Sequence, residues 1–366
     1  MRKWILGTLL LVLCFLCGCG TDEVENNAFP MAVGIELNDE NDFQIYMAYP
    51  NLQSQDAKDN ALTSDVFWSG SAEDLFAGAD EMSENSNKNV DFNHLKVLVL
   101  DAGILKDEQA KEELISFFME NKDAAWNTYV MLSNGKLKDL FSDELEIGSS
   151  LGIYLEDMIE EWTNIRSGAR VTVGDFMSQY FNGNETDLVP VVSVEKKLPT
   201  VQSFALVKRL NCVLALTQEA AYETMMVRNQ LKAFSFSTED DVRMSMHLIS
   251  VEKELTEMEN PKMPEETLPL LTVKVKAVAQ TQNRLRLSEA DKKEVRRQAE
   301  LELENRLLFL ANSMKQAYHV DVADSFLLLP GYHRELWRVY RSNADAYEKK
   351  LQYRIQVDLS PDEKTV

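Results

Sequence analysis

The chain has 366 residues, 45% of them apolar and 27% charged, with 38 basic side chains against 60 acidic ones. A formal charge of −22 repels phosphate backbones and anionic headgroups, which argues against nucleic-acid binding and predicts a body that stands off a membrane surface. The length and apolar content suffice for two or three domains, each with a core of its own.

Met1-Arg2-Lys3 is a basic start, and Trp4 to Cys17 is an almost unbroken apolar run, too short for a membrane span of about 20 residues. Leu16-Cys17-Gly18-Cys19 follows, in the arrangement of a bacterial lipobox. Residues 1–18 are therefore predicted to be a lipoprotein signal peptide. Cys19 would be the lipid attachment site, and residues 19–29 a polar, lipidated tether. An ordinary cleaved signal and an uncut membrane stub are the alternatives. Each buried methylene contributes about 0.8 kcal/mol, so two or three acyl chains hold firmly where one holds marginally. Three of the four cysteines lie in the leader and lipobox, which leaves Cys212 without a disulfide partner, in an apolar stretch that suits a small buried hydrophobe.

Beyond the tether, 31–37 and 43–49 alternate as two strands around an Asn38–Asn41 turn, and 50–64 is loop-like. Ser71-Ala-Glu-Asp74 resembles a capping box for a helix carrying Leu75, Phe76, Ala79 and Met82 on one face. The run 94–100 reads as a buried strand, 108–122 as a helix, and 127–132 as a strand closed by Asn134-Gly135. Leu151, Tyr154, Leu155, Met158, Ile159 and Trp162 mark an amphipathic helix, followed by a shorter one at 173–181 and a break at Asn182-Gly-Asn184. The second half opens with strand 189–195, then a hairpin of 204–207 with 212–216, and a helix capped by Thr217 and running to about Asn229. Two long alternating strands lie near 242–248 and 271–277, and the stretch between them with Pro261, Pro264 and Pro269 reads as an exposed loop. The longest helix opens at Ser288–Asp291; Val295, Ala299, Leu303, Leu307, Leu310, Met314 and Tyr318 form its apolar stripe, with Lys292, Arg296, Glu300 and Glu304 expected to face water. A short helix with Leu336 and Trp337 and a final alternating strand, 351–359, complete an α+β pattern.

A catalytic constellation is not evident. His94, His247, His319 and His333 each stand alone in the sequence. Phosphate loops, dinucleotide fingerprints, nucleophile elbows and zinc spacings do not occur. The acidic cluster Glu156, Asp157, Glu160 and Glu161 faces away from its helix's apolar stripe, as a solvated face does, and Glu265-Glu266 lacks calcium-loop spacing. The expectation is a non-enzymatic protein with no cofactor and no metal site.

Several stretches resemble the C subunits of spore nutrient germinant receptors, the Ger(x)C lipoproteins. They are the lipobox at Cys19 followed by the Ala-Val-Gly-Ile-Glu strand at 32–36, Asn93-His94-Leu95-Lys96-Val97, and Trp126–Leu132 followed by Gly135–Asp139. Phe204–Lys208 with Leu216–Glu219, the Ser288-capped helix, the Leu336-Trp337 pair and the last strand keep the family's order. Leu214-Ala215 stand where a Gly-Trp pair is common, and the Trp-Asp-Arg-Arg-Glu run that often follows the lipid-bearing cysteine is missing.

The resemblance implies a multi-domain α+β fold with mixed and antiparallel sheets packed by helices, in the family's three-domain architecture. It divides the mature chain into an N-terminal region, 30–188, and a C-terminal region, 189–366, with a further split near 284. It implies a non-enzymatic, lipid-anchored subunit on the outer face of the inner spore membrane, acting in the response to nutrients. Its partners would be a membrane receptor A subunit and a transporter-like B subunit. The alternative is a solute-binding lipoprotein that delivers a small ligand to a transporter.

Overall fold

The computed structural model describes residues 27–50, 65–86, 88–121, 125–166, 170–182, 186–238, 242–260, 263–281 and 288–362. The leader, Cys19, the predicted loop at 51–64, the break at 183–184 and Pro261 lie outside the described residues. In chain order the first half contains β1 (Asn27–Ala28), β2 (Ala32–Leu37), β3 (Phe43–Pro50), β4 (Asp65–Ala72), α1 (Leu75–Ser86), β5 (Asn89–Val90) and β6 (Val97–Asp101). It continues with α2 (Glu108–Glu120), β7 (Tyr129–Ser133), α3 (Leu137–Leu140), α4 (Leu151–Arg166) and α5 (Val173–Asn182). Then come β8 (Thr186–Glu195), β9 (Leu198–Lys208), β10 (Asn211–Thr217), α6 (Gln218–Val227) and β11 (Ala233–Ser237). The chain ends with β12 (Arg243–Asn260), β13 (Met263–Thr281), α7 (Glu289–Tyr318), α8 (Leu329–Tyr332), α9 (Arg334–Tyr340), α10 (Ala344–Lys350) and β14 (Gln352–Pro361).

An eight-stranded sheet has the order β10-β9-β8-β7-β6-β2-β3-β4. Its centre, β2-β6-β7-β8, is parallel, and antiparallel hairpins extend it on both sides. The unbroken apolar run of β6 follows from burial on both faces. Val97 and Val99 pack with Leu140, Phe141, Leu151 and Leu155 on one side, and Leu98 and Leu100 with Leu114, Phe118 and Phe176 on the other. The division expected at 188/189 falls inside β8, a strand of this sheet.

The helix starts are set locally. Asp107 accepts from the Ala110 N–H at 2.8 Å and Thr217 from the Ala220 N–H at 3.3 Å. At α1 the expected Ser71 cap is displaced, because Ser71 pairs with Gln44 in β4 and Asp74 accepts from the Ala77 N–H at 2.7 Å instead. The cap of α4 comes from far along the chain, where Asp65 of β4 accepts from the Leu151 N–H at 2.6 Å.

A second sheet has the order β11-β12-β13-β14. The strands β12 and β13 form a long antiparallel ladder with a bulge between His247 and Ser250, and β14 runs parallel to β13. The stretch expected to be an exposed loop is therefore strand on both sides: Glu257 pairs with Pro269. Proline is tolerated there because β14 reaches only to Leu270, so beyond it β13 has a single neighbour. The helix α7 begins with the capping box at Ser288 and Asp291 and lays Ala299, Leu303, Leu307 and Met314 into a core with Val273, Val275, Ile355 and Val357. That core continues through Met225 and Met226 of α6 to Leu188, Phe204 and Leu206 of the first sheet. The architecture is α+β and multi-domain, with mixed sheets packed by helices.

Candidate functional site

Where the two sheets meet, the apolar core is interrupted by charge. The β9–β10 turn places Arg209 and Leu210 consecutively in the left-handed region, at φ 52° and 55°, without a glycine. This geometry sends Leu210 into the core, where its N–H donates to the Gln179 side chain at 3.1 Å, and leaves Arg209 to meet Asp345 at 2.9 Å. Beside it, Lys208 donates to Glu348 at 2.5 Å and to the His319 carbonyl at 2.7 Å. This pair is deeply enclosed, with side-chain exposures of 9% for Lys208 and 2% for Glu348.

A second group surrounds Arg228, just beyond α6. Its guanidinium donates to the Thr186 carbonyl at 2.7 Å, the Thr186 hydroxyl at 2.6 Å and the Val322 carbonyl at 3.0 Å, and pairs with Asp324 at 3.1 Å. Thr186 closes the ring by donating to Asp324 at 2.9 Å. The loop after α7 is held by Asp321, which accepts from Ala323 and Ser325 N–H groups and from the Tyr353 hydroxyl at 2.7 Å. Ser325 and Tyr347 share a further bond of 2.7 Å, and Lys253 of β12 donates to the Ala323 carbonyl at 2.7 Å.

Burial dominates the electrostatics here. It pushes the Asp187 carboxyl up to about 7 against the pull of Gln179 and Arg228, and the Asp324 carboxyl up to about 6 against Arg228. Burial also raises Glu348, which Lys208 opposes, and lowers the Lys253 ammonium. Asp345 is pushed up by partial burial, but Arg209 and Lys208 outweigh this and hold it below the usual range. The polar groups of this junction bond to one another across both sheets, the helices α5 and α10 and the ends of α6 and α7. Such a network can transmit or resist relative movement of its two sides.

The residues singled out in the sequence are dispersed. Cys19 lies outside the described residues. His94 is exposed and meets Phe29 edge-on at 5.1 Å, and His247 lies 3.8 Å from Asp362. His319 ends α7 in a left-handed conformation, and His333 precedes α9. Glu156 pairs with Lys96 at 3.1 Å, while Asp157, Glu160 and Glu161 are exposed. Cys212 is half-buried against the core that Leu98 and Leu100 share on one face of the first sheet, and burial pushes its thiol up. Among the described residues, no three His, Cys, Asp or Glu side chains are grouped to hold a metal ion, and no helix is long and apolar enough to cross a membrane. The buried carboxyls at 187, 324 and 348 were missed, although a charge adjoining an apolar run, as Lys208 does after Phe204–Val207, was a usable signal.

A multi-domain α+β protein with two mixed sheets locked by a buried ionic junction is the class these observations define. The family model described as the spore germination protein N-terminal domain matches residues 20–194. Spore germination protein A3 of Bacillus subtilis (strain 168) is 23% identical over 209 residues, covering 54% of this chain and 54% of that protein, so the match spans about half the relative's length. The crystal structure of the GerBC protein shares the fold, with a TM-score of 0.58 and 13% identity over 90% of this chain and 96% of that one. These matches support a Ger(x)C-family spore germination protein, with residues 20–194 matching the family's N-terminal domain and the chain sharing the GerBC fold.

Proposed function

We propose that this chain is a non-enzymatic, lipid-anchored subunit of a membrane germinant receptor complex, acting in the response of spores to nutrients through protein–protein contacts. Cys19 carries the lipid, and the body stands on the outer face of the inner spore membrane beside a receptor A subunit and a transporter-like B subunit. The observation that carries the reading is the fold shared with GerBC along nearly the whole of both chains. The self-satisfied junction supports it, since its charged groups hold elements together and leave none directed at a substrate. A solute-binding lipoprotein is less well served, because it needs two similar lobes around a cleft. Here the sheets differ in strand number and order, and packed core fills the space between them.

A lipid restricts the protein to a plane and raises its effective concentration at membrane neighbours, so weak contacts persist. Contact biases a partner between two states only if it differs between them. The test is Cys19→Ala in the spore. The expected outcome is loss of the protein from the membrane fraction and a germination defect; full membrane retention with normal germination would overturn the reading.

A further inference from the structure

The segment 326–341 departs from the acidic character of the chain, with Arg334, Arg338 and Arg341 against a single acid, Glu335. It folds as α8 and α9, pinned from beneath by Leu336 and Tyr340, which are buried, and by Trp337 against Phe326 at 5.6 Å between ring centres. With that side fixed inward, the three arginines, at i, i+4 and i+7, lie in one exposed row. Arg338 pairs with Glu335 at 2.7 Å, while Arg334 and Arg341 have no ion-pair partner among the described residues. Three large apolar side chains of the same segment are also exposed: Leu327 at 52%, Tyr332 at 80% and Val339 at 67%.

From this juxtaposition we propose that the α8–α9 face is a membrane-docking surface, binding anionic phospholipid headgroups through Arg334, Arg338 and Arg341 and inserting Tyr332 and Val339 just below them. It rests on the lipid-anchored reading, which supplies the proximity that makes a small surface sufficient. Protruding aromatic and aliphatic side chains beside arginines match an interface with phosphates above and acyl chains beneath. A peptide partner would need those side chains received in a groove of its own. The overall negative charge does not prevent docking, because charges more than about 8 Å from the contact are screened at physiological salt. Two acids, Glu257 and Glu335, line the adjoining hollow of about 460 Å³ with His333 and Arg334 and oppose the arginines in part. Docking there would set one orientation of the body on the bilayer.

The test uses the full-length lipidated protein reconstituted into vesicles of phosphatidylcholine alone and of phosphatidylcholine mixed with phosphatidylglycerol. Hydrogen exchange of 326–341 should slow about tenfold in the anionic vesicles only, and the protection should vanish in high salt. The variant Arg334→Glu/Arg338→Glu/Arg341→Glu should lose it with an unchanged melting temperature, since all three side chains are exposed. Equal exchange in both vesicles, protected or not, would overturn the proposal. So would protection that appears only when a membrane protein partner is added. Flotation with the neutral vesicles reads the lipid anchor separately, so failure of the anchor and failure of the docking face are distinguishable.

Discussion

Lys208 and Glu348 form a pair whose two halves are unequal in risk. Removing the ammonium leaves a carboxylate of 2% exposure without its cation, and uncompensated buried charge costs about 3–5 kcal/mol. Lys208→Met should therefore lower the urea midpoint sharply, and Lys208→Met/Glu348→Gln should recover much of the loss; a double variant as unstable as the single one would show that the cost is packing rather than charge. Glycines separate in the same way by what surrounds them. A Cβ on Gly152, in the first turn of α4, would sit 2.4 Å from the Met31 carbonyl oxygen, which belongs to backbone and cannot swing aside. Gly152→Ala should destabilise by about 1–3 kcal/mol in chemical denaturation. At Gly34 the obstacle is the Phe141 ring, a side chain able to rotate. The Ala-Val-Gly-Ile-Glu stretch was legible as a strand, but that its glycine admits a ring from 107 residues away was not, because nothing local encodes Phe141's position.

The helix α7 shows how a pattern is right about one face and silent about its flanks. The expected stripe is buried at Ala299, Leu303, Leu307, Leu310 and Met314, while Tyr318, in the last turn, is 39% exposed. Glu300 and Glu304, expected in water, instead accept from the Leu359 and Val357 N–H groups at 2.8 and 2.9 Å. They lie one residue past the stripe, about 100° around the helix, and the edge of β14 happens to pass there. They cover backbone donors that a bare sheet edge would offer to another chain. Glu300→Ala/Glu304→Ala should cost about 1–3 kcal/mol per uncovered N–H, speed hydrogen exchange at Val357 and Leu359, and promote self-association in sedimentation. The strand β11 went unread although Phe234 and Phe236 alternate with serines, because a five-residue run is too short for the pattern to stand out. In β4, similarly, only the pairing with β3 organises Asp65–Ala72.

Across the whole molecule, the junction makes stability depend on pH with a definite sign. Asp187 and Asp324 have folded values of about 7 and about 6, raised by burial above the ordinary aspartate value. Between the unfolded and folded values the native state holds protons that the unfolded chain releases. Their contribution is thus fully present at low pH and is lost as pH rises through about 6 to 7. Asp345, held low by Arg209 and Lys208, works in the opposite direction, losing its contribution only as pH falls through its lowered value. The melting temperature should be higher at pH 5.5 than at pH 8 by circular dichroism, and Asp187→Asn should reduce that difference, with Asp324 and Glu348 supplying the remainder; an unchanged slope would remove Asp187 as one of its sources. The α+β class and the strong helices and strands were readable from the chain alone, because periodicity and capping are short-range consequences of which side chains must leave water. Tertiary structure alone decided that β8 to β10 complete the first sheet, that β14 lies parallel to β13, and that Lys208 meets Glu348 across 140 residues. Those outcomes depend on which surfaces fit when distant segments compete to bury the same area, and no local stretch of sequence carries that information.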